Sequence, residues 1–209
     1  MKHVILLTWL LCASVTFGQS AYEQGMGKAM GMWREGKNTE AVALFERISL
    51  VEKNNWLPSY YVSFISSLQA FETKDRTAWT ALVTKAQTFH DQAVALSPNN
   101  PELMVVQGLI YTAYLIIDPM TNGMKYSSKV MEQYVQAQLI APNNPRVVFS
   151  KAEFEMNGAK YWGTDTAPIC ERMGQSITLF NNFKPETPFH PSWGLDRAQA
   201  AYQACSAKK

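Results

Sequence analysis

Ala95-Leu96-Ser97-Pro98-Asn99-Asn100-Pro101 and Leu139-Ile140-Ala141-Pro142-Asn143-Asn144-Pro145 are two copies of one phrase. A third pair, Asn54-Asn55, precedes them, so the Asn-Asn pairs recur at steps of 45 and 44 residues. A period of this size marks an α-solenoid, whose helix pairs bury their apolar faces against neighbouring pairs. The phrase joins a helix stop to a helix start. Pro98 ends one helix, Asn100 suits the cap of the next, Pro101 suits its first turn, and Glu102 lies near its positive end. Asn144-Pro145 repeats the device.

Outward from these joints, helical spacing dominates and no stretch alternates like a strand for long. Gly36 separates a helix over 22–35 from one over 39–51, which Thr39 or Asn38 can cap. Ala41, Leu44, Phe45 and Ile48 share one face of the second helix. Asn55-Trp56-Leu57-Pro58 opens a helix reaching Phe71, and 77–96 is its partner. The stretch 103–117 is the most apolar of the chain after its leader. Gln107 and Thr112 interrupt it and it is too short to span a bilayer, so it reads as a helix buried on most sides. Asp118-Pro119 ends it and Asn122-Gly123 marks a turn before a partner at 125–140. A fourth pair covers 146–156 and 167–179, joined by a loop over 157–166. An extended connector over 185–191 leads to a helix over 195–206 that suits the open end of the stack.

The N-terminus has a different composition. Lys2 and His3 precede an apolar run from Val4 to Phe17, shorter than the roughly 20 residues of a membrane span. Thr16 and Gly18 place small residues three and one before a cut. The pattern predicts a signal peptide over 1–18, cleaved near Gly18–Gln19, and one domain over 19–209 that is periplasmic or secreted. An uncleaved membrane anchor and a lipid anchor at Cys12 are the alternatives. Leu11 argues against the second, because a lipidation box has a small residue before its cysteine. The mature chain would keep Cys170 and Cys205, an even pair that can bridge in an oxidising compartment; two separately buried thiols are the alternative.

The net charge of +2 is nearly balanced and the sequence has no basic block beyond Lys208-Lys209. Such a surface excludes nucleic acid and an anionic membrane as expected partners. Gly25-Met26-Gly27-Lys28-Ala29-Met30-Gly31 lacks dinucleotide spacing, a Gly-Lys-Ser/Thr ending and a preceding strand, so no nucleotide cofactor is expected. No histidine, cysteine or carboxylate cluster has metal-ligand spacing. His90 and Asp91 are adjacent on a helix, so their side chains diverge and no serine triad is in view. His90 reads as a packed histidine, and the scattered methionines as core filler. Neither a catalytic residue nor a cofactor or metal is expected.

The helix pairs resemble tetratricopeptide repeats, which place a small residue and an aromatic on the first helix, and small, large and small residues plus a proline on the second. Gly108, Tyr111, Val130, Tyr134, Ala137 and Pro142 follow that order. Ala86, His90, Ala93 and Pro98 do so in the preceding unit, and Ala41 and Phe45 in the first, where Ile48 stands for a small residue. The unit at 103–140 carries about ten extra residues between Tyr111 and Val130. The fourth departs at Lys151 and Glu155, which stand where apolar or aromatic residues belong. Phe183-Lys184-Pro185, Pro191-Ser192-Trp193-Gly194 and Cys205 look like the C-terminal part of secreted bacterial repeat proteins of this type.

The resemblance implies an all-α, right-handed, TPR-like solenoid of about four antiparallel helix pairs plus a C-terminal closing helix. It implies a non-catalytic protein- or peptide-binding scaffold whose first helices line a concave face. By the family register that face presents Tyr60, Phe64, Val105, Leu109, Thr112, Phe149 and Glu153 to a peptide. The connector over 183–194 is the other candidate to fill it. A second reading is a small-ligand or glycan-binding protein using the loop Tyr161-Trp162-Gly163-Thr164-Asp165, through Tyr161, Trp162 and Asp165. Against it, Trp162 is expected to fold back over helix ends, and Trp193 to anchor the last helix.

Overall fold

The computed structural model describes residues 21–207, and among them the chain is all-helical. The expected leader, its cleavage point and Cys12 lie outside the described residues. Helix α1 is described over 21–34, followed by α2 (Asn38–Val51), α3 (Leu57–Glu72), α4 (Arg76–Leu96) and α5 (Pro101–Ile117). Next come α6 (Pro119–Ile140), α7 (Pro145–Trp162), α8 (Ala167–Asn182) and α9 (Leu195–Ser206). Helix α3 packs on α4, α5 on α6 and α7 on α8, through short connections that make each pair antiparallel. The first helices α3, α5 and α7 also touch in succession, and α9 packs on α8. The architecture is a TPR-like helical solenoid with a closing helix.

The repeated joint works as its residues dictate. Asn55 Oδ1 accepts from the Leu57 backbone N–H at 3.0 Å, Asn100 Oδ1 from Glu102 at 2.9 Å, and Asn144 Oδ1 from Arg146 at 2.9 Å. The same side chain thus bonds the amide two residues on in three units, as the N-cap of α5 and α7 and one residue ahead of the Trp56 cap position of α3. Helix α2 departs from this scheme: neither Thr39 nor Asn38 caps it, because it starts one residue after Lys37, which makes no side-chain cap.

Helix α3 is the most enclosed element, with every residue from Leu57 to Ser67 buried. Its buried serines, Ser59, Ser63, Ser66 and Ser67, alternate with Tyr60, Tyr61, Phe64 and Ile65. Small side chains of this kind let neighbouring helices come close. The apolar helix α5 is buried only over its first part, and Ile116 near its end is exposed.

Two expected breaks are absent. Asn122-Gly123 does not turn the chain: α6 begins at Pro119, capped by Asp118 Oδ1 on the Thr121 N–H at 3.2 Å, and runs through both residues. Asn122 Nδ2 donates to Tyr114 O at 2.8 Å, which ties this first turn to α5 and offsets the roughly 1 kcal/mol that Gly123 costs a helix. The extra residues of this unit therefore lengthen a helical hairpin. Asn157-Gly158 likewise fails to stop α7, because Met156 and Ala159 on either side are buried against Ile169, Cys170 and Met173 of α8. The polar positions of α7 are reconciled by pairing: Glu155 Oε1 accepts from Lys151 Nζ at 2.8 Å, and its other oxygen from Arg172.

Gly108 occupies the close contact that the repeat pattern implies. A Cβ there would collide with Cε1 of Tyr134 and lie 2.6 Å from its Cζ, a ring buried between α5 and α6. Gly108→Leu is therefore expected to destabilise by at least about 1–3 kcal/mol, the usual cost of overpacking. Thermal melts check it, and the double variant with Tyr134→Ala should be less perturbed than the two single effects added together. A Gly108→Leu melt equal to wild type would remove the contact from the account of this hairpin.

Candidate functional site

The concave face is closed by the chain itself. Gly194 starts α9 at φ +110°, and a Cβ there would also lie 2.9 Å from Phe180 Cζ, so only glycine fits. This turn sends Trp193 inward. Its ring stacks on Phe64 at 4.4 Å, and its Nε1 donates to the Tyr60 hydroxyl at 2.8 Å. Phe189 follows the same path: its ring meets Tyr22 edge-on at 5.6 Å, and its carbonyl accepts from the Tyr61 hydroxyl at 2.9 Å. Burial raises both Tyr60 and Tyr61 above the ordinary phenol range, so each keeps its proton.

The residues expected to line a peptide groove are thereby largely covered. Tyr60, Phe64, Val105 and Phe149 are buried. Thr112 turns its hydroxyl back to Gly108 O at 2.8 Å. Phe64, Leu109, Phe149 and Glu153 meet at a residual cleft of about 150 Å³ beside Trp193, whose rim is closed by Arg197 Nε donating to Glu153 Oε1 at 2.8 Å. An aromatic groove read from the register alone is thus packed by the 183–194 connector. Trp193 does more than anchor α9: partly buried, it packs against core residues of α3 and of α5, α6 and α7.

The aromatic pair at 161–162 sits on the last turn of α7 instead of a loop. Tyr161 is 79% and Trp162 75% exposed, edge to face with each other, so Trp162 does not fold back over helix ends. Asp165 caps the start of α8, its Oδ1 accepting from the Ala167 N–H at 2.9 Å. None of the three lines either the cavity of about 510 Å³ or the cleft of about 150 Å³.

Two other places gather chemistry. At the edge where the Asn-Asn joints converge, an open cavity of about 510 Å³ is lined by Trp56, Pro101, Pro142, Phe183, Lys184 and His190, among others. Its floor includes Glu102, which accepts from Arg146 Nε at 2.9 and 2.8 Å and from Arg146 Nη2 at 2.6 Å. Asn144 Nδ2 adds a 2.6 Å bond to the same carboxylate, and Phe183 covers the guanidinium with its ring 4.3 Å from Cζ. His190 stands edge-on to Trp56 at 5.5 Å, with Nδ1 4.0 Å from Glu186. Burial lowers its pKa, so the neutral ring is the form present at neutral pH. The repeat marked the Asn-Asn joints, but not the cavity, whose lining is completed by the distant segment from Phe183 to His190.

The second place is the tip of the α5–α6 hairpin. Met120 is 97% and Met124 92% exposed there. Tyr114 stacks on Tyr126 at 4.9 Å, Lys129 lies over both Tyr111 and Tyr126, and Lys125 lies over Tyr126. His90, in contrast, is core: its ring packs under α5, with Nε2 3.0 Å from Leu103 O, and burial lowers its pKa. Among the described residues no group of histidine, cysteine and carboxylate side chains could hold a metal ion, and no helix is long and apolar enough to cross a membrane.

No family model matches the chain, and no curated protein does. Among solved structures, the chain is similar to the HusA haemophore from Porphyromonas gingivalis, with a TM-score of 0.79 at 20% identity over 90% of this chain and 94% of that one. It is also similar to a thermophilic TPR protein from Thermus thermophilus, with a TM-score of 0.58 at 13% identity over 89% of this chain and 81% of that one. At these identities the likeness is one of architecture, and it runs through nearly the whole chain: this protein has the TPR-like solenoid fold, in a form it shares with a haemophore.

Proposed function

We propose that the protein is an exported, non-catalytic binding protein for haem or a closely related tetrapyrrole. The observation that carries this reading is the closure of the concave face by Trp193. A groove packed by the chain's own connector offers no room for an extended peptide, and the binding surfaces that remain are the open cavity at the joint edge and the outer patches. The full-length likeness to a haemophore supports a flat, apolar, acidic ligand. The signal-like leader supports export, where such a ligand is met outside the cytoplasm.

A protein-binding scaffold is the second reading, favoured by the solenoid fold and by exposed Val51, Leu96 and Ile140, which repeat at the 45- and 44-residue step along one edge. Titration of the purified mature protein with haemin separates the two. Haem binding predicts a saturable change in the Soret band at one haemin per chain. Absence of any change up to about 100 µM, where even weak small-ligand sites fill, would leave the scaffold reading standing.

A further inference from the structure

The geometry points to the cavity at the joint edge as a tetrapyrrole site in which His190 is the axial ligand of the iron. This inference rests on the haem-binding reading above and adds the place and the residues. Of the two histidines among the described residues, His90 is committed to Leu103 O within the core, whereas His190 lines an open cavity. The cavity of about 510 Å³ falls within the roughly 300–1,000 Å³ of small-molecule sites. Its walls supply what a porphyrin face needs: the Trp56 and Phe183 rings with Pro101 and Pro142. Lys184 at the rim supplies a cation for a propionate.

The ring nitrogens of His190 are distinguished by their surroundings. Nδ1 faces Glu186 Oε2 at 4.0 Å, close enough for a small rotation to make the hydrogen bond that orients most metal-bound imidazoles. That assigns the iron to Nε2, as in proteins that hold haem by one histidine. The floor does not oppose an acidic ligand, because the Glu102 carboxylate is neutralised by Arg146 and capped by Asn144. Of the groups around His190, burial and the charge of Arg146 of α7 favour the neutral ring, against Glu186 on its own connector and Glu102 of α5.

The test uses the mature full-length protein with two probes: haemin, followed by the Soret band, and metal-free protoporphyrin, followed by its fluorescence. His190→Gln keeps the polarity and approximate size of the ring. It is expected to move the Soret band and weaken haemin binding at least about tenfold, while protoporphyrin binds both proteins alike. Trp56→Ala is expected to weaken both probes. Far-UV circular dichroism melts confirm that each variant is folded, and Trp56→Phe substitutes if Trp56→Ala is not. An unchanged Soret band and affinity in His190→Gln overturns the assignment while leaving haem binding intact. So does loss of haemin binding in Tyr126→Ala with His190→Gln unaffected, which places the ligand at the α5–α6 tip. Failure of the wild type to bind either probe overturns the haem-binding reading itself.

Discussion

Arg146→Leu is expected to be among the most damaging single changes in this protein, at about 3–5 kcal/mol. Glu102 and Arg146 are both buried, with side-chain exposures of 2% and 0%. Removing the guanidinium leaves a carboxylate enclosed with Asn144 as its remaining side-chain donor, and an uncompensated buried charge is what makes breaking such a pair costly. The ring of Phe183 also loses the plane it covers, which loosens the start of the connector. Glu102→Leu should be comparably harmful, because it strands the guanidinium, whose Nη1 already finds no partner among the described residues. The double variant Arg146→Leu with Glu102→Leu should recover much of the loss. For a chain of this length about 3–5 kcal/mol corresponds to a melting temperature lowered on the order of 10 °C. Urea unfolding of the four proteins gives the coupling energy directly. Additive single effects would show that the two residues act separately.

The same pair shows how far the sequence could be read. Glu102 and Arg146 each follow an Asn-Asn-Pro, 44 residues apart, so they occupy one repeat position with opposite charges. The repeat was legible because it rests on local chemistry: an Asn that caps, a Pro that fits the first turn, and apolar residues at helical spacing. The pairing was legible in principle from charge and register together, yet Glu102 read as a helix-dipole residue, since local reasoning explained it fully. The two helix breaks failed for the converse reason. Asn122-Gly123 and Asn157-Gly158 are strong local stop signals, overridden by an Asn122 bond to Tyr114 O and by burial of Met156 and Ala159 on α8. Both partners lie on the neighbouring helix of the pair, Tyr114 eight positions back, and a local stop signal does not report them.

The candidate site was less legible than the fold. A family register predicts which side chains point into a concave face, but not whether a distant segment occupies it. Trp193 reaches Tyr60 across 133 positions. The cavity beside His190 is assembled from Trp56 ahead of α3, two Asn-Asn joints and the connector; the repeat marked the joints, but no spacing showed that the connector lies against them. What the sequence did mark, Trp193-Gly194 after a proline, turned out to be a structural plug.

Cys205→Ala is expected to destabilise the protein by roughly 4 kcal/mol. Cys170 on α8 and Cys205 on α9 are disulfide-bonded, with Cα atoms 5.9 Å apart and a sequence separation of 35. In the chain-entropy model the closed loop restricts the unfolded chain, and a loop of this length gives that magnitude. The bridge also has a local task. Helix α9 has only one fully buried apolar residue, Ala198, so it has little packing of its own to hold it on α8. Its exposed Tyr202 lies over Gly174, where a Cβ would approach the ring to 2.9 Å, so a small residue on α8 lets the two helices close up. Because Trp193 and Gly194 immediately precede α9, loosening this helix should propagate to the plug in the concave face. Two readouts separate the global and local effects. Melting with and without reductant should lower the wild type to the level of Cys205→Ala and leave the variant unchanged. Hydrogen exchange should rise first at 189–206 and only later in α3 and α5, because the low-stability end of a stack opens before its centre. Thiol counting in denaturant without reductant should find residues 170 and 205 unreactive in the exported protein. A variant that melts with the wild type, or free thiols at both positions, would show that packing of α9 against α8 holds the end of the stack without the bridge.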